Sequence, residues 1–444
     1  MLSRVRTAAL WGPEAFPVEC EVDVGPGLPG FVLVGLPDLS AREARDRVWP
    51  ALRNAGFQLP DRRVTVNLAP AERRKEGASA DLAVALGVLI ATGQAPPVRL
   101  ENAAAVAELA LDGRLRGVRG TLPLAESLWR SGVTALLCAA DAAPEAALVE
   151  GLAVHPVRTL HEAVDWLRGA ELPRQSPAPP DPGAAPGGDL VEVRGQAMAR
   201  RALEIAAAGG HHLLLVGPPG VGKSMLAARL PGILPPLEPD ESLTVTRLHS
   251  SAGVRPPGRG LMTQRPFRSP HHSLTRAALI GGGSPPRPGE LSLAHHGVLF
   301  LDEFSECPRG LLDALRQPLE SGTACIARAT GTVEFPARAL LVAAMNPCPC
   351  GFLGHPKKGC GCTPTQLARH RARVSGPVLD RLDLQLEVPA LTGAELRGAT
   401  HGETTAAVRA RVCAARAVQR ARGTLNARLP PARLEAVCAL DRTA

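Results

Sequence analysis

The eight residues Gly217, Pro218, Pro219, Gly220, Val221, Gly222, Lys223 and Ser224 constrain this chain more than any other segment. They follow the apolar run His212 to Val216 and open into Ser224 to Leu230, whose apolar spacing is helical, so the local order is strand, glycine loop, helix. A loop of this spacing turns successive backbone N–H groups inward around phosphate oxygens, and the helix that follows adds the positive end of its dipole. In that geometry Lys223 reaches the β- and γ-phosphates and the Ser224 hydroxyl binds Mg²⁺, which makes ATP with Mg²⁺ the expected ligand. Of the 50 basic residues only four are lysines, at 75, 223, 357 and 358. Arginine's planar fork suits carboxylates and open phosphates, whereas a narrow loop needs a slim ammonium. A lysine therefore stands at the position where arginine does not fit.

A chain of 444 residues exceeds one hydrophobic core and is expected to form two or three domains. The stretch 173–188 is rich in proline and glycine, which remove N–H donors and cost chain entropy, and it reads as a linker. Upstream, in a domain expected over 1–172, Phe31 to Gly35 and Val64 to Leu68 read as buried strands, and Ala41 to Ala55 and Ser79 to Thr92 as helices. Downstream, the core expected over 189–390 begins with the helix-like Val191 to Ala208. It carries further strands at Gly297 to Leu301 and Ala339 to Ala344, and alternating strands and helices predict a parallel sheet. From Leu391 to Ala444 the pattern is helical, with one amphipathic helix over Thr404 to Arg422 that reads as part of a small lid. The fold class is α/β throughout.

Net charge is +8 with a sequence pI near 9.2, which permits polyanionic partners, although arginines spread over solvated helix faces give the same total. Aromatic residues make up only 3% of the chain and tyrosine is absent, so base stacking on an aromatic platform is not the expected mode of any nucleic-acid contact. No charged-then-apolar leader and no run of eighteen apolar residues is present, and the expected location is the cytoplasm, with no membrane partner. Six cysteines, at 20, 138, 307, 325, 413 and 438, are scattered as small core residues would be. The other four form the pairs Cys348, Cys350 and Cys360, Cys362, inside a loop over 346–364. Four thiolates in fifteen residues match a tetrahedral zinc site in ligand number, with tighter spacing than usual; an unmetallated reduced loop, or His355 or His370 as a ligand, is the alternative. Lys357 and Lys358 lie between the pairs. The three His-His pairs starting at 211, 271 and 295 have no acidic or cysteine neighbour in sequence.

A second apolar run, Gly297 to Leu301, delivers Asp302 and Glu303 at its end, and strand ends of open α/β sheets face the ligand crevice. Phosphoryl transfer needs positioning and charge compensation, so Asp302 is expected in the Mg²⁺ shell and Glu303 against the attacking water. The next strand ends in Asn346, where an amide can orient that water, though an Asn before Pro347 also reads as a turn former. After a proline-marked helix start at Gly376, Arg381 stands between Asp380 and Asp383 and reads locally as an ion-paired surface residue.

These four pieces in this order resemble the AAA+ ATPases. The resemblance implies that Arg381 is an arginine finger acting on a neighbour's ATP, and hence a ring, a hexamer, of identical subunits. Arg265 to Ser273, Gly281 to His295 and Gly331 to Arg338 are similar to the ComM/YifB group of magnesium-chelatase-like proteins. So are Phe31 to Asp38 and Val66 to Ala71 of the first domain, which the resemblance makes a ribosomal-S5 type domain shared with the Lon protease domain. The resemblance implies an ATP-driven motor on DNA, a helicase that moves branched recombination intermediates during uptake of foreign DNA. It also implies lid helices beyond Cys438 to Leu440, bearing a second sensing arginine, that a sequence stopping at Ala444 does not include. DNA-contact candidates are Arg265, Arg268 and Arg328, with Arg276 beside them in the insert. Arg328 lies near the tip of a predicted hairpin formed by Cys325 to Ala329 and Thr332 to Phe335, the place where related ring motors point a hairpin into the pore. Each arginine alone also reads as a solvated surface charge.

Two rival functions share these features. A chelatase or chaperone-type motor acting on a protein would use the same nucleotide residues. A Lon-like protease would use Ser79 as nucleophile, but the matching lysine is expected near Leu122 and the domain's single lysine is Lys75, so Ser79 is expected to cap or pack a helix.

Overall fold

The computed structural model describes residues 1–35, 43–75, 77–183, 187–284, 286–328, 331–393 and 402–438. Expectations that touch Leu36 to Asp38, Ala41, Glu76, Pro285, Ala329, Thr330 and Ala439 to Leu440 lie, at those positions, outside the described residues. The chain divides into two compact units. One comprises residues 1–181, 243–262 and 283–287; the other comprises 182–242, 263–282 and 288–444. Residues 243–262, which lie inside the stretch expected to form the core, thus count with the first unit.

The first unit is built on a seven-stranded sheet, in the order Gly30–Val34, Arg63–Ala69, Glu14–Gly25, Leu2–Trp11, Ala103–Val106, Ala135–Ala139, Ala153–Val157. Leu2–Trp11 and Glu14–Gly25 form a long antiparallel hairpin, with Leu2 opposite Asp23 and Trp11 opposite Glu14. Val5, Val18, Cys20, Val22 and Val24 point to one face with period two, while Ala8 and Leu10 are buried on the other face against the helix Thr121–Arg130, so burial along Thr7 to Leu10 is continuous. Helix Asp81–Ala91 covers the first of these faces and is buried on every side, as its nearly all-apolar sequence requires. Its Asp81 is held by a two-pronged pair with Arg47 (Nε to Oδ2 2.6 Å, Nη2 to Oδ1 3.0 Å). Segment 243–262 joins the unit through charge pairs: Arg247 forks onto Glu126 at 2.8 and 2.9 Å, and Arg255 meets Asp181 at 3.1 Å.

Ser79 does not cap the helix that follows it. The N-cap is Ala80, without a side-chain bond, while the buried Ser79 hydroxyl donates to the Ala8 carbonyl at 3.0 Å. Lys75, also buried, donates to the Gly35 carbonyl at 2.8 Å and to that of Pro70. Leu122, where a protease lysine was expected, is fully enclosed in apolar packing. The serine is thus a packing residue whose proton is already engaged with backbone.

The second unit carries a five-stranded, all-parallel sheet in the order Phe267–Arg268, Val298–Leu301, Leu340–Met345, Leu213–Val216, Leu384–Glu387. The three central strands, Val298–Leu301, Leu340–Met345 and Leu213–Val216, read as continuous apolar runs, as strands covered on both faces do, whereas the edge strand Leu384–Glu387 alternates. Register places Val216 beside Met345 and Glu387, and Leu301 beside Ala343. The strands therefore end along one edge, and Gly217, Asp302 and Asn346 emerge there together. Helix Ala197–Gly209 precedes the sheet, and helix Lys223–Ile233 follows the glycine loop. Helix Thr405–Ala421, capped by the Thr404 hydroxyl on Ala407 N–H, packs Val408 and Val412 into the same core as Leu203 and Leu226. Arg411 on it forks onto Glu204 at 2.7 and 3.2 Å. Among the scattered cysteines, Cys20, Cys138 and Cys307 are buried as expected of core residues, but Cys325 and Cys438 are exposed and Cys413 is only partly covered. No helix among the described residues is long and apolar enough to cross a membrane.

Candidate functional site

The glycine loop starts where Gly217 N–H donates to the Met345 carbonyl at 3.1 Å, a close approach that only glycine permits because a Cβ would lie 2.3 Å from the Val388 carbonyl oxygen. Gly222, at φ +93°, then caps helix Lys223–Ile233 without a side chain in front of its free N–H groups. Lys223 curls back so that its ammonium donates to the carbonyls of Gly217 (2.6 Å) and Pro218 (3.0 Å) and to Asn346 Oδ1 (3.2 Å). Burial pushes this lysine below the usual ammonium range, and the nearby Asp302 carboxylate partly opposes the shift. The Ser224 hydroxyl donates to Asp302 Oδ2 at 2.7 Å, and the other Asp302 oxygen accepts the Glu303 N–H at 2.8 Å. A hydroxyl and a carboxylate this close offer hard oxygen ligands of the kind Mg²⁺ takes, alongside bound phosphates. At Gly220 the space a Cβ would fill is open. These residues fit a nucleotide triphosphate with its cation.

Glu303 occupies the left-handed region, at φ +49°, which costs a non-glycine residue of order 1 kcal/mol and is characteristic of functional sites. Its Oε2 lies 2.7 Å from His272 Nδ1, a contact the sequence does not reveal. The partner arises because Phe267–Arg268 pairs in parallel with Val298–Leu299, so the chain leaving the first strand runs beside the acids leaving the second. Each of the other His-His pairs likewise gains one acid through tertiary contact: His211 Nδ1 lies 3.3 Å from Asp383 and His296 Nδ1 lies 3.2 Å from Glu241. A second contact missed in the sequence is the buried His370, whose Nε2 donates to the Asn346 carbonyl at 3.0 Å.

Arg381 is not brought to Lys223. Its half-exposed side chain pairs with Glu320, and it lines a separate cavity of about 930 Å³ with Arg338, Asp380, Arg428 and others but none of the loop residues.

The DNA-contact expectation for Arg265 is corrected. Only 8% of its side chain is exposed, and its guanidinium donates to Glu241 Oε2 (2.7 Å) and to the carbonyls of Pro235 (2.6 Å), Pro236 (3.1 Å) and His296 (2.7 Å). A buried cation bonded in this way holds a fold together and is not offered to a phosphate. Arg268 is one-third exposed, and both its prongs close on Glu290 at 2.6 and 2.7 Å, a pairing that raises its pKa further. Arg328 is different. It ends the strand Thr323–Arg328, opposite Gly331 of the strand Gly331–Pro336, and it is exposed. The turn residues Ala329 and Thr330 lie outside the described residues.

The four clustered cysteines converge. Sγ separations are 3.4 Å (Cys348 to Cys350), 3.7 Å (Cys348 to Cys360) and 3.6 Å (Cys350 to Cys360), and the four sulfurs all lie within 4.8 Å of one another. Four sulfurs about 2.3 Å from one tetrahedral zinc would stand roughly 3.8 Å apart. Hydrogen bonding, led by the Phe352 N–H, lowers the Cys350 thiol to about 6. Among the described residues this is the cluster whose donor atoms suit a metal ion, and soft thiolates select zinc over magnesium.

The partly buried His212 and the buried His295 are expected to make the second unit acid-sensitive. His212 Nδ1 accepts the Leu341 N–H at 3.0 Å and His295 Nδ1 accepts the Arg338 N–H at 2.9 Å, bonds that require both nitrogens unprotonated. Burial lowers His212 to about 4 and pushes His295 well below the ordinary histidine range. A pKa depressed on folding contributes stability that is complete above about pH 6.5 and is lost as pH falls toward 4, at up to about 1.4 kcal/mol per pH unit for each group. The thermal midpoint is therefore expected to drop steadily from about pH 6.5 to about pH 4.5. In His295→Asn, whose amide oxygen still accepts the Arg338 N–H without binding a proton, the drop becomes shallower; an unchanged profile would show that His295 is not a source of it.

The parallel sheet, the glycine loop at its edge and the helices on its faces define an AAA+ type nucleotide-binding core. A family model described as magnesium chelatase, subunit ChlI, matches residues 189–396, and a second, described as subunit ChlI of Mg-chelatase, matches residues 20–142. Competence protein ComM of Haemophilus influenzae is 46% identical over 451 residues, covering 99% of this chain and 87% of its own length. An uncharacterized protein of Mycobacterium tuberculosis (strain H37Rv) is 47% identical over 418 residues, covering 94% and 82%. The uncharacterized protein YifB of Escherichia coli (strain K12) is 43% identical over 447 residues, covering 99% and 87%. The chain belongs to the ComM/YifB family of magnesium-chelatase-like AAA+ proteins.

Proposed function

We propose that this protein is an ATPase that works as a ring of identical subunits, a hexamer, in the cytoplasm, and that its load is DNA, moved as branched intermediates during recombination of incoming strands. The convergence of Lys223, Ser224, Asp302 and Asn346 at one edge of the parallel sheet supports the ATPase part. Mg²⁺ bound with ATP would offset charge on the transferring phosphoryl group. Lys223 would leave its loop carbonyls for the phosphates, Ser224 and Asp302 would hold the cation, Glu303 would polarise the attacking water and Asn346 would orient it. Arg381, which lies apart from the glycine loop of its own chain, completes the site of the adjacent subunit. The cluster of four cysteines holds one Zn²⁺, a reading its sulfur spacing supports.

DNA as the load is supported by the ComM relative, which is named a competence protein, and by the exposed cation at the end of the Thr323–Arg328 strand. Six copies of Arg328 around a pore would form a funnel for a phosphate backbone. Arg328→Ala is expected to cut DNA-stimulated ATP turnover several-fold while leaving turnover without DNA intact. It should also flatten the dependence of binding on salt, since each lost phosphate contact on a single strand removes about 0.7 from the log–log slope. An unchanged slope would exclude the hairpin from the DNA path. Turnover indifferent to any DNA but raised by a protein partner would favour a remodelling motor.

A further inference from the structure

The cysteine lobe begins and ends at the nucleotide site. The strand Leu340–Met345 delivers Asn346 to Lys223, and two residues later Cys348 enters the four-sulfur cluster. Helix Pro364–Arg371 starts directly after Cys362 on a capping box between Thr363 and Gln366, and its His370 returns to the Asn346 carbonyl at 3.0 Å. Directly after Cys350, Gly351 at φ +81° lies against the glycine loop, where a Cβ would come 2.9 Å from Pro219 Cδ. Thus both ends of the lobe reach Asn346 and its first turn backs Pro219.

What orders the lobe is not a hydrophobic core. Between 348 and 362 only Cys348 and Gly351 are buried. The other internal contacts are local: Leu353 N–H donates to Cys348 Sγ at 3.3 Å, Gly351 N–H to the Cys348 carbonyl at 3.0 Å and His355 N–H to the Phe352 carbonyl at 3.1 Å, His355 Nδ1 accepts from the Lys357 and Lys358 N–H groups at 3.1 Å, and the Lys358 ammonium sits 4.8 Å from the Phe352 ring centroid. A fifteen-residue loop with so little apolar burial does not offset its ordering entropy without a cross-link, and a structural metal is the cross-link its sulfurs are placed to accept.

We propose that the metal-bound lobe is a brace for the nucleotide site: one Zn²⁺ on Cys348, Cys350, Cys360 and Cys362 fixes Gly351 against Pro219 and His370 on Asn346, and zinc occupancy thereby sets the rate of ATP turnover. The brace rests on the zinc reading and acts on the ATPase site described above. His370 is a positioning residue in it, since it reaches the reaction only through Asn346.

Three readouts on the full chain separate these layers. Elemental analysis is expected to find one zinc per chain; a purified protein that holds none and takes up none on addition of Zn²⁺ overturns the metal reading and the brace with it. Stripping with a zinc-selective chelator, magnesium kept in excess, is expected to speed hydrogen exchange in peptides over 217–224 and 340–348 but not over 81–91. It should lower ATP turnover by about tenfold or more, restored by one equivalent of Zn²⁺. If zinc leaves and neither exchange nor turnover changes, the brace is wrong although the metal site stands. The exchange arm does not depend on hydrolysis, so it tests the brace even if the motor reading fails. His370→Ala is expected to keep its zinc and its affinity for a fluorescent ADP analogue within about twofold while kcat falls about tenfold, with partial recovery in His370→Gln, which retains a donor. A zinc-loaded His370→Ala with wild-type kcat would remove Asn346 from the braced elements.

Discussion

Arg381→Ala is expected to bind ATP normally and to lose roughly three orders of magnitude in turnover, the lower end of what an arginine finger supplies. Three decades correspond to about 4 kcal/mol of transition-state stabilisation, more than a half-exposed surface ion pair is worth, so the size of the loss itself separates the two readings of this residue. The Arg381 side chain is paired with Glu320 and lines a cavity that includes none of the glycine-loop residues. If it acts, it acts on another copy. The decisive version of the experiment mixes Arg381→Ala with Lys223→Ala. Each is inactive alone, but in mixed rings a subunit with an intact Lys223 meets a neighbour with an intact Arg381, and part of the activity returns. No return in rings shown to be mixed, or full wild-type turnover in a demonstrably monomeric sample, would refute the assignment in trans.

Glu303→Gln is expected to lower turnover by about 10²–10⁴, the range of general-base contributions, while ATP and Mg²⁺ binding survive, because Ser224 and Asp302 hold the cation. The substitution keeps shape and removes only charge and basicity. The strained φ of Glu303 and its 2.7 Å contact with His272 place the carboxylate at the end of the same strand as Asp302 but in a different set of contacts. Single-turnover measurements with radiolabelled ATP distinguish a lost chemical step from lost binding. A Glu303→Gln protein that hydrolyses ATP within about threefold of wild type would show that another group activates the water.

Much of the fold was legible from local pattern. The strands at Gly30–Val34, Arg63–Ala69, Val298–Leu301 and Leu340–Met345 fall within a residue or two of their apolar runs, and the helix at Thr405–Ala421 follows its amphipathic period and its Thr404 cap. The long hairpin Leu2–Trp11 and Glu14–Gly25 was missed, although Val5, Val18, Cys20, Val22 and Val24 alternate inward. Charged residues on the solvent face, such as Arg4, Arg6, Glu19 and Glu21, broke the run into short pieces and hid the period of two. For the charged candidates, a sequence shows that an arginine is present but not which acid it meets, as with Arg265 on Glu241 and Arg268 on Glu290.

By itself the sequence determined the strand, glycine loop and helix around Lys223, the acids at Asp302 and Glu303, and the four closely spaced thiols, because each depends on spacing within a few residues along one element. The tertiary structure decided the partners. Parallel pairing joins Ser224 to Asp302 across 78 positions and Lys223 to Asn346 across 123, and the packing of helices and loops around the sheet buries Arg265 on Glu241 and closes Arg268 on Glu290. It also sets His272 on Glu303 and lays Gly351 against Pro219. Local geometry is set by bonds and steric limits that recur in any chain, whereas contacts between strands depend on register across the whole sheet, which no short segment specifies.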